Sequence, residues 1–200
     1  MSKTLDFIFD FASPNAYLAY HALGPVLERT GARLNIIPCL LGGIFKATDN
    51  QPPMMAFGQV RGKLDYERLE MDRFIRKHQL GSFVFNSHFP VNTLVLMRGA
   101  IVAEEQGELP RYVDAGLRCM WEQDLKMDDP EVFVQAMNTQ EFDGAAILER
   151  TRDPEVKARL LANTEDAVAR GCFGIPTFYV EGEMFFGKDR LAQVEEELLA

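Results

Sequence analysis

The sequence predicts an α/β fold in which a βαβ unit stands at one end of the chain, a ββα unit at the other, and a large all-helical insertion between them. Three observations carry this. Short runs rich in Phe, Ile and Val, with strand character, occur only near the two ends, at 4–11, 33–39 and 177–186. Between 64 and 171 the apolar residues recur almost throughout at helical spacing. Pro110, Pro130 and Pro154 stand where helices begin, since a proline's missing N–H costs nothing in a first turn. The expected division is therefore 1–42 plus 172–200 as the sheet-bearing domain and 43–171 as the helical insertion.

In order along the chain, 4–11 reads as a strand. Residues 14–30 read as a helix, broken or kinked at Gly24-Pro25. RLNIIPC at 33–39 is a second strand, parallel to the first because a helix joins them. The Gly- and Pro-punctuated 41–63 is too long for an ordinary connection, which marks it as functional or mobile. Leu64, Leu69, Phe74 and Ile75 share one helical stripe, and 91–106, 110–124, 130–138 and 154–170 are further helices. TFYV and EMFF flank Glu181-Gly182 as a tight hairpin, and Asp189 is expected to cap a final helix.

Composition narrows the function. With 47% hydrophobic residues in a chain of 200, a core can be buried without help from disulfides or metal. A net charge of -9, from 30 acidic and 21 basic residues, argues against nucleic acid or an anionic membrane as partner, because both call for clustered positive charge. A small ligand fits better. MSKTLDFIFDF places acids within its apolar run and has no small-residue cleavage site, and no apolar run approaches membrane-spanning length, so a soluble, cytoplasmic protein is expected. Cys39, Cys119 and Cys172 contain no Cys-x-x-Cys and read as small buried hydrophobes. His21, His78 and His88 form no ligand-spaced pair, and no metal is expected.

The chemistry-bearing stretch is DFASPNAY. A strand ending at Ser13-Pro14 and running into a helix places the serine where main-chain N–H groups point outward, which makes Ser13 either a helix cap or an active-site group. Ile175-Pro176, just before TFYV, is compatible with a cis peptide and equally with a trans proline at a strand entry. Gly187-Lys188-Asp189-Arg190 reads as a turn and cap, or as a backbone that a ligand can approach.

The element order, with a proline before the third strand, is that of a thioredoxin-like fold carrying a helical insertion. DFASPNAY at 10–17, GIFKATDNQPP at 43–53, KLDYERLEMDRF at 63–74, FGIPTF at 173–178 and FGKDR at 186–190 together resemble the family of 2-hydroxychromene-2-carboxylate isomerases and kappa-class glutathione transferases, relatives of the DsbA-type oxidoreductases, over nearly the full length. Where the oxidoreductases carry Cys-x-x-Cys, this chain has Ser13, Pro14, Asn15 and Ala16, so thiol–disulfide exchange has no thiolate at this corner.

The resemblance implies glutathione as cofactor, with Ser13 donating a hydrogen bond to its sulfur and Ile175 and Pro176 clamping its cysteinyl unit. Gly187, Lys188, Asp189 and Arg190 would take the γ-glutamyl end, Lys63 the other carboxylate, and Asn50 would face both ligands. It further implies a small aromatic carboxylate as substrate, with Lys46 as counter-ion and Phe57 and Phe89 about its ring. The chain departs from the family where Phe57 and Gly58 replace polar substrate contacts and Phe89 replaces an expected tyrosine. The implied activity is a glutathione-dependent isomerisation. A kappa-like transferase or peroxidase is the first alternative and a non-enzymatic glutathione- or peptide-binding module the second. The family's members are commonly dimeric, which leaves room for a homodimer.

Overall fold

The structure is a computed structural model that describes residues 2–200; Met1, the first residue of the expected 1–42 segment, lies outside them. Strand β1 (Thr4–Phe9) is followed by helix α1 (Pro14–Thr30) and strand β2 (Arg33–Pro38). Eight helices follow: α2 (Leu41–Ala47), α3 (Pro53–Ala56), α4 (Lys63–His78), α5 (Leu94–Glu105), α6 (Leu109–Trp121), α7 (Pro130–Thr139), α8 (Gly144–Arg150) and α9 (Pro154–Ala169). The chain returns to the sheet as β3 (Thr177–Val180) and β4 (Glu183–Phe186), then closes with a single 3-10 turn (Lys188–Arg190) and α10 (Leu191–Leu199).

The four strands lie in the order β2-β1-β3-β4. β1 pairs in parallel with β2, Phe7 opposite Ile36, and antiparallel with β3, Phe7 opposite Phe178. Period-2 alternation decides the two faces. Leu5, Phe7 and Phe9 point to one, where Phe7 stacks on Phe178 at 5.0 Å and meets Tyr20 of α1 at 6.4 Å. Asp6 points to the other, where it pairs with Arg170, just past α9, at 2.8 Å and accepts from Asn35 Nδ2. β1 is thus covered by α1 on one face and by the end of α9 on the other. The hairpin between β3 and β4 turns on Glu181 and Gly182, both at positive φ, as the sequence predicts.

Several expectations need correction. β1 ends at Phe9, and 10–13 is a turn. α1 is unbroken across Gly24 and Pro25, and both lie on its exposed side, where the main-chain group that Pro25 leaves without a donor is not buried. The 41–63 stretch is too long for a loop because it is not one: it contains α2 and α3. On α4 only Phe74 is buried, and Leu69 faces solvent. α8, absent from the expected elements, is capped by Asp143 accepting from the Ala146 N–H. Among the described residues no helix is long and apolar enough to cross a membrane.

Candidate functional site

The site is built where the end of β1 enters α1. Ser13 is the N-cap of α1, in extended conformation, with Pro14 in the first turn. Ser13 is 4% exposed and its hydroxyl is committed on both sides: Oγ accepts from the Ala16 N–H at 3.2 Å and donates to the Ile175 carbonyl at 3.0 Å. Both readings of Ser13 are therefore compatible, since the cap uses an oxygen lone pair and leaves the single proton for another acceptor. The Asn15 N–H, one residue into the helix, has no acceptor within the described residues and points out of the helix start.

Opposite stands the 172–176 loop, held from several sides. The Ile175–Pro176 peptide is cis. Thr177 Oγ1 and Cys172 Sγ both donate to the Gly174 carbonyl, at 2.7 and 3.2 Å. Asn50 Nδ2 donates to the Phe173 carbonyl at 2.8 Å, and the Gly187 N–H donates to the Pro176 carbonyl at 2.9 Å. Hydrogen bonds thus draw Ser13, Asn50, Ile175, Pro176 and Gly187, dispersed over the sequence, into one constellation. The Ile175 N–H has no partner within the described residues, whereas its carbonyl is taken by Ser13. A main-chain donor left open beside an acceptor that a hydroxyl can vacate suits the N–H and C=O of a peptide-like ligand.

The turn at Gly187 also departs from expectation. Gly187 takes φ 95°, which favours glycine, and Lys188–Arg190 form a 3-10 turn before α10, whose N-cap is Arg190 rather than Asp189. The Asp189 carboxylate caps nothing, because Lys188 Nζ lies 3.1 and 3.2 Å from its two oxygens. Lys188 itself is buried and sits 5.3 Å above the Phe74 ring. Arg190 lines a groove of about 540 Å³ with Met184, Phe186 and Glu197, on the side of β4 and α10.

Other expected residues are not drawn to the corner by any bond. Lys63 pairs with Glu67 at 2.9 Å and lies 5.4 Å over the ring of Phe57, so these two meet each other. Lys46 is exposed on α2 and forms no ion pair among the described residues. Phe89 reaches the corner indirectly, 6.1 Å from Trp121, whose Nε1–H donates to the Phe11 carbonyl at 2.9 Å.

Three features of the site were not singled out in the sequence. Trp121, with Phe83, Phe85 and Phe89 around it, forms an aromatic wall behind the corner. Phe173 and Phe186 pack at 4.5 Å beside the loop. Asp10 is buried beneath Ser13; desolvation pushes its carboxyl up, against hydrogen bonds from Ala12, Leu41 and Thr93 that pull it down. In the sequence it is one of two acids that interrupt the apolar run LDFIFDF. The cysteines are buried and free, and desolvation raises all three thiols, Cys119 to about 11, so none supplies a thiolate near neutral pH.

Comparison with known proteins bears on the family and the fold. The family profile described as the DSBA-like thioredoxin domain matches residues 4–199. The 2-hydroxychromene-2-carboxylate isomerase of Sphingobium xenophagum is 27% identical over 199 residues, spanning the whole of both chains. The glutathione S-transferase kappa 1 of Homo sapiens is 28% identical over 222 residues, covering 100% of this chain and 90% of that one. A solved structure of selenomethionine 2-hydroxychromene-2-carboxylate isomerase superposes with a TM-score of 0.82 at 25% identity, covering 96% of this chain and 93% of the other.

Proposed function

The chain belongs to the DSBA-like thioredoxin domain family, and from that premise we propose that it is a glutathione-dependent isomerase of the 2-hydroxychromene-2-carboxylate type. The observation that carries the reading is a buried serine hydroxyl at the corner, bonded to the Ile175 carbonyl beside an Ile175 N–H that has no partner within the described residues, in a protein whose own thiols are all buried. When bound, glutathione supplies a sulfur nucleophile that is returned at the end of each turnover.

The protein's part is to hold that sulfur ionised. A free thiol of pKa ~8.5 is only about 3% ionised at pH 7. The Ser13 hydroxyl must turn from the Ile175 carbonyl toward the sulfur, exchanging a neutral bond of about 0.5–1.5 kcal/mol for a charged one of about 1.5–3. The net, about 1–1.5 kcal/mol, lowers the thiol by about one unit. The start of α1, with the open Asn15 N–H, adds about 0.3–1 kcal/mol. The turn also frees the Ile175 carbonyl, so that its main chain can accept from and donate to the cysteinyl unit. Asp189 offers a carboxylate to the γ-glutamyl ammonium, with Lys188 alongside for the neighbouring carboxylate.

A second reading, a kappa-like transferase, is favoured by Lys46: an exposed lysine without a fixed partner is a poor pre-built counter-ion for a substrate carboxylate. Turnover of hydroxychromene carboxylate separates the two, since the isomerase leaves glutathione unchanged and the transferase consumes it into an adduct. The test of the site is Ser13→Ala, with the bound thiolate titrated by its ultraviolet absorbance. Glutathione binding should persist and the thiol pKa should rise by about one unit. An unchanged value would remove Ser13 as the activating group.

A further inference from the structure

Asp10 is 1% exposed, lies three residues before Ser13, and among the described residues no cation pairs with it. Three donors converge on its carboxylate. Oδ1 accepts from the Ala12 N–H at 2.9 Å and from Thr93 Oγ1 at 2.7 Å; Oδ2 accepts from the Leu41 N–H at 2.7 Å. The donors belong to different elements: Ala12 to the Ser13 corner, Leu41 to the first residue of α2, and Thr93 to the N-cap of α5. The Asp10 carbonyl meanwhile accepts from the Ser13 N–H at 3.2 Å. Side chain and main chain of one residue therefore fix the turn that carries Ser13 and tie it to the two helices flanking the site.

The chemistry requires a carboxylate here. The Ala12 and Leu41 N–H groups approach different oxygens and neither can reverse its role. Asparagine offers one acceptor oxygen and an NH2, so one of those two main-chain donors would face another donor. A buried charge without a counter-ion is costly, and a partner set made only of donors accounts for its presence.

We propose that Asp10 is a positioning residue for Ser13, holding the corner and α2 in the register at which the hydroxyl can reach either the Ile175 carbonyl or a ligand sulfur. The role rests on the reading of Ser13 as the group that holds a thiol. It predicts a direction opposite to that of simple charge. As a through-space anion, Asp10 would disfavour a nearby thiolate, and Asp10→Asn would lower the thiol pKa. As a positioning residue it does the reverse.

The experiment is the ultraviolet titration of glutathione bound to wild type, Asp10→Asn and Thr93→Val, with kcat and KM measured on hydroxychromene carboxylate. Asp10→Asn should raise the bound thiol pKa by about one unit and lower kcat by about tenfold, with less change in KM. Thr93→Val keeps its shape, loses one donor of three, and should give a smaller rise, about threefold in thiolate fraction. Thr93→Val alone decides the matter if Asp10→Asn does not fold. A thiol pKa that is unchanged or lowered in the folded variants overturns the role of Asp10. A wild type that does not bind glutathione, or binds it with an unperturbed thiol, overturns the Ser13 reading instead.

Discussion

The corner formed by 10–13 and 172–176 and the segment from Pro53 to Leu69 both look like punctuated apolar stretches in sequence, yet they fold into opposite kinds of surface. At the corner Asp10, Ser13 and Thr177 are buried, and hydrogen bonds arrive from α2, α5, α6 and the Gly187 turn. In the Pro53 segment Met54, Met55, Val60 and Tyr66 are more than half exposed, and the main-chain bonds are local, such as Phe57 N–H to the Pro53 carbonyl and Lys63 N–H to the Val60 carbonyl. Fixed geometry is thus concentrated where the proposed thiol is held. The Pro53 segment, where the proposed second substrate would lie, is open and tied only by local bonds.

Three substitutions test how far that contrast goes. The largest effect should come from Trp121→Ala, because Trp121 is fully buried and donates to the Phe11 carbonyl beside the corner. A loss of about 3–5 kcal/mol in urea unfolding is expected; a loss below about 1 kcal/mol would show that the corner is not held from α6. Lys46→Met comes next. As an exposed cation without an ion partner, it should contribute to a substrate carboxylate on the scale of a surface pair, about 0.2–1 kcal/mol, or at most about fivefold in kcat/KM, with glutathione affinity unmoved. A loss of thirtyfold or more would instead show a pair desolvated on binding, on the scale of about 2–5 kcal/mol, and would sharpen the isomerase reading. The smallest effect should be that of Met55→Ser, within about 0.5 kcal/mol in the same unfolding measurement. A clear destabilisation would show that Met55 is packed.

The contrast also explains what the sequence disclosed. The βαβ and ββα ends were legible because strand alternation, a Ser-Pro helix start and a Glu-Gly hairpin are local signals. Ser13, Ile175 and Gly187 were legible as candidates because each belongs to a short motif with its own backbone requirement. Asp189 was misplaced because a 3-10 turn and an α-helix start share the same residues, and the Lys188 contact that claims its carboxylate depends on burial against Phe74. The α4 stripe was misread because Leu69 lies five residues from both Leu64 and Phe74, about 140° round the helix from each, so the four residues do not share one face. Asp10 was passed over because two of its partners, Leu41 and Thr93, lie far along the chain, and nothing local distinguishes a buried acceptor from an acid that interrupts an apolar run.

The strand order carries a consequence for the making of the protein. β1 occupies an inner place in the sheet and is the first of the four strands to be synthesised, but its antiparallel partner β3, which sets Phe178 against Phe7, is made only after β2 and eight further helices. At about 5–20 residues per second, the ribosome leaves the Leu5–Ile8 edge without its mate for roughly 10–30 s, while β2 and the intervening helices emerge. An apolar strand with one bare edge invites pairing with other nascent chains, so this stretch is where the newborn polypeptide is most in need of shelter. The segment that ends this exposure also brings in Ile175 and Pro176, so a chain terminated before Thr177 would lack the seal of its sheet and would have no β3 to anchor the loop facing Ser13.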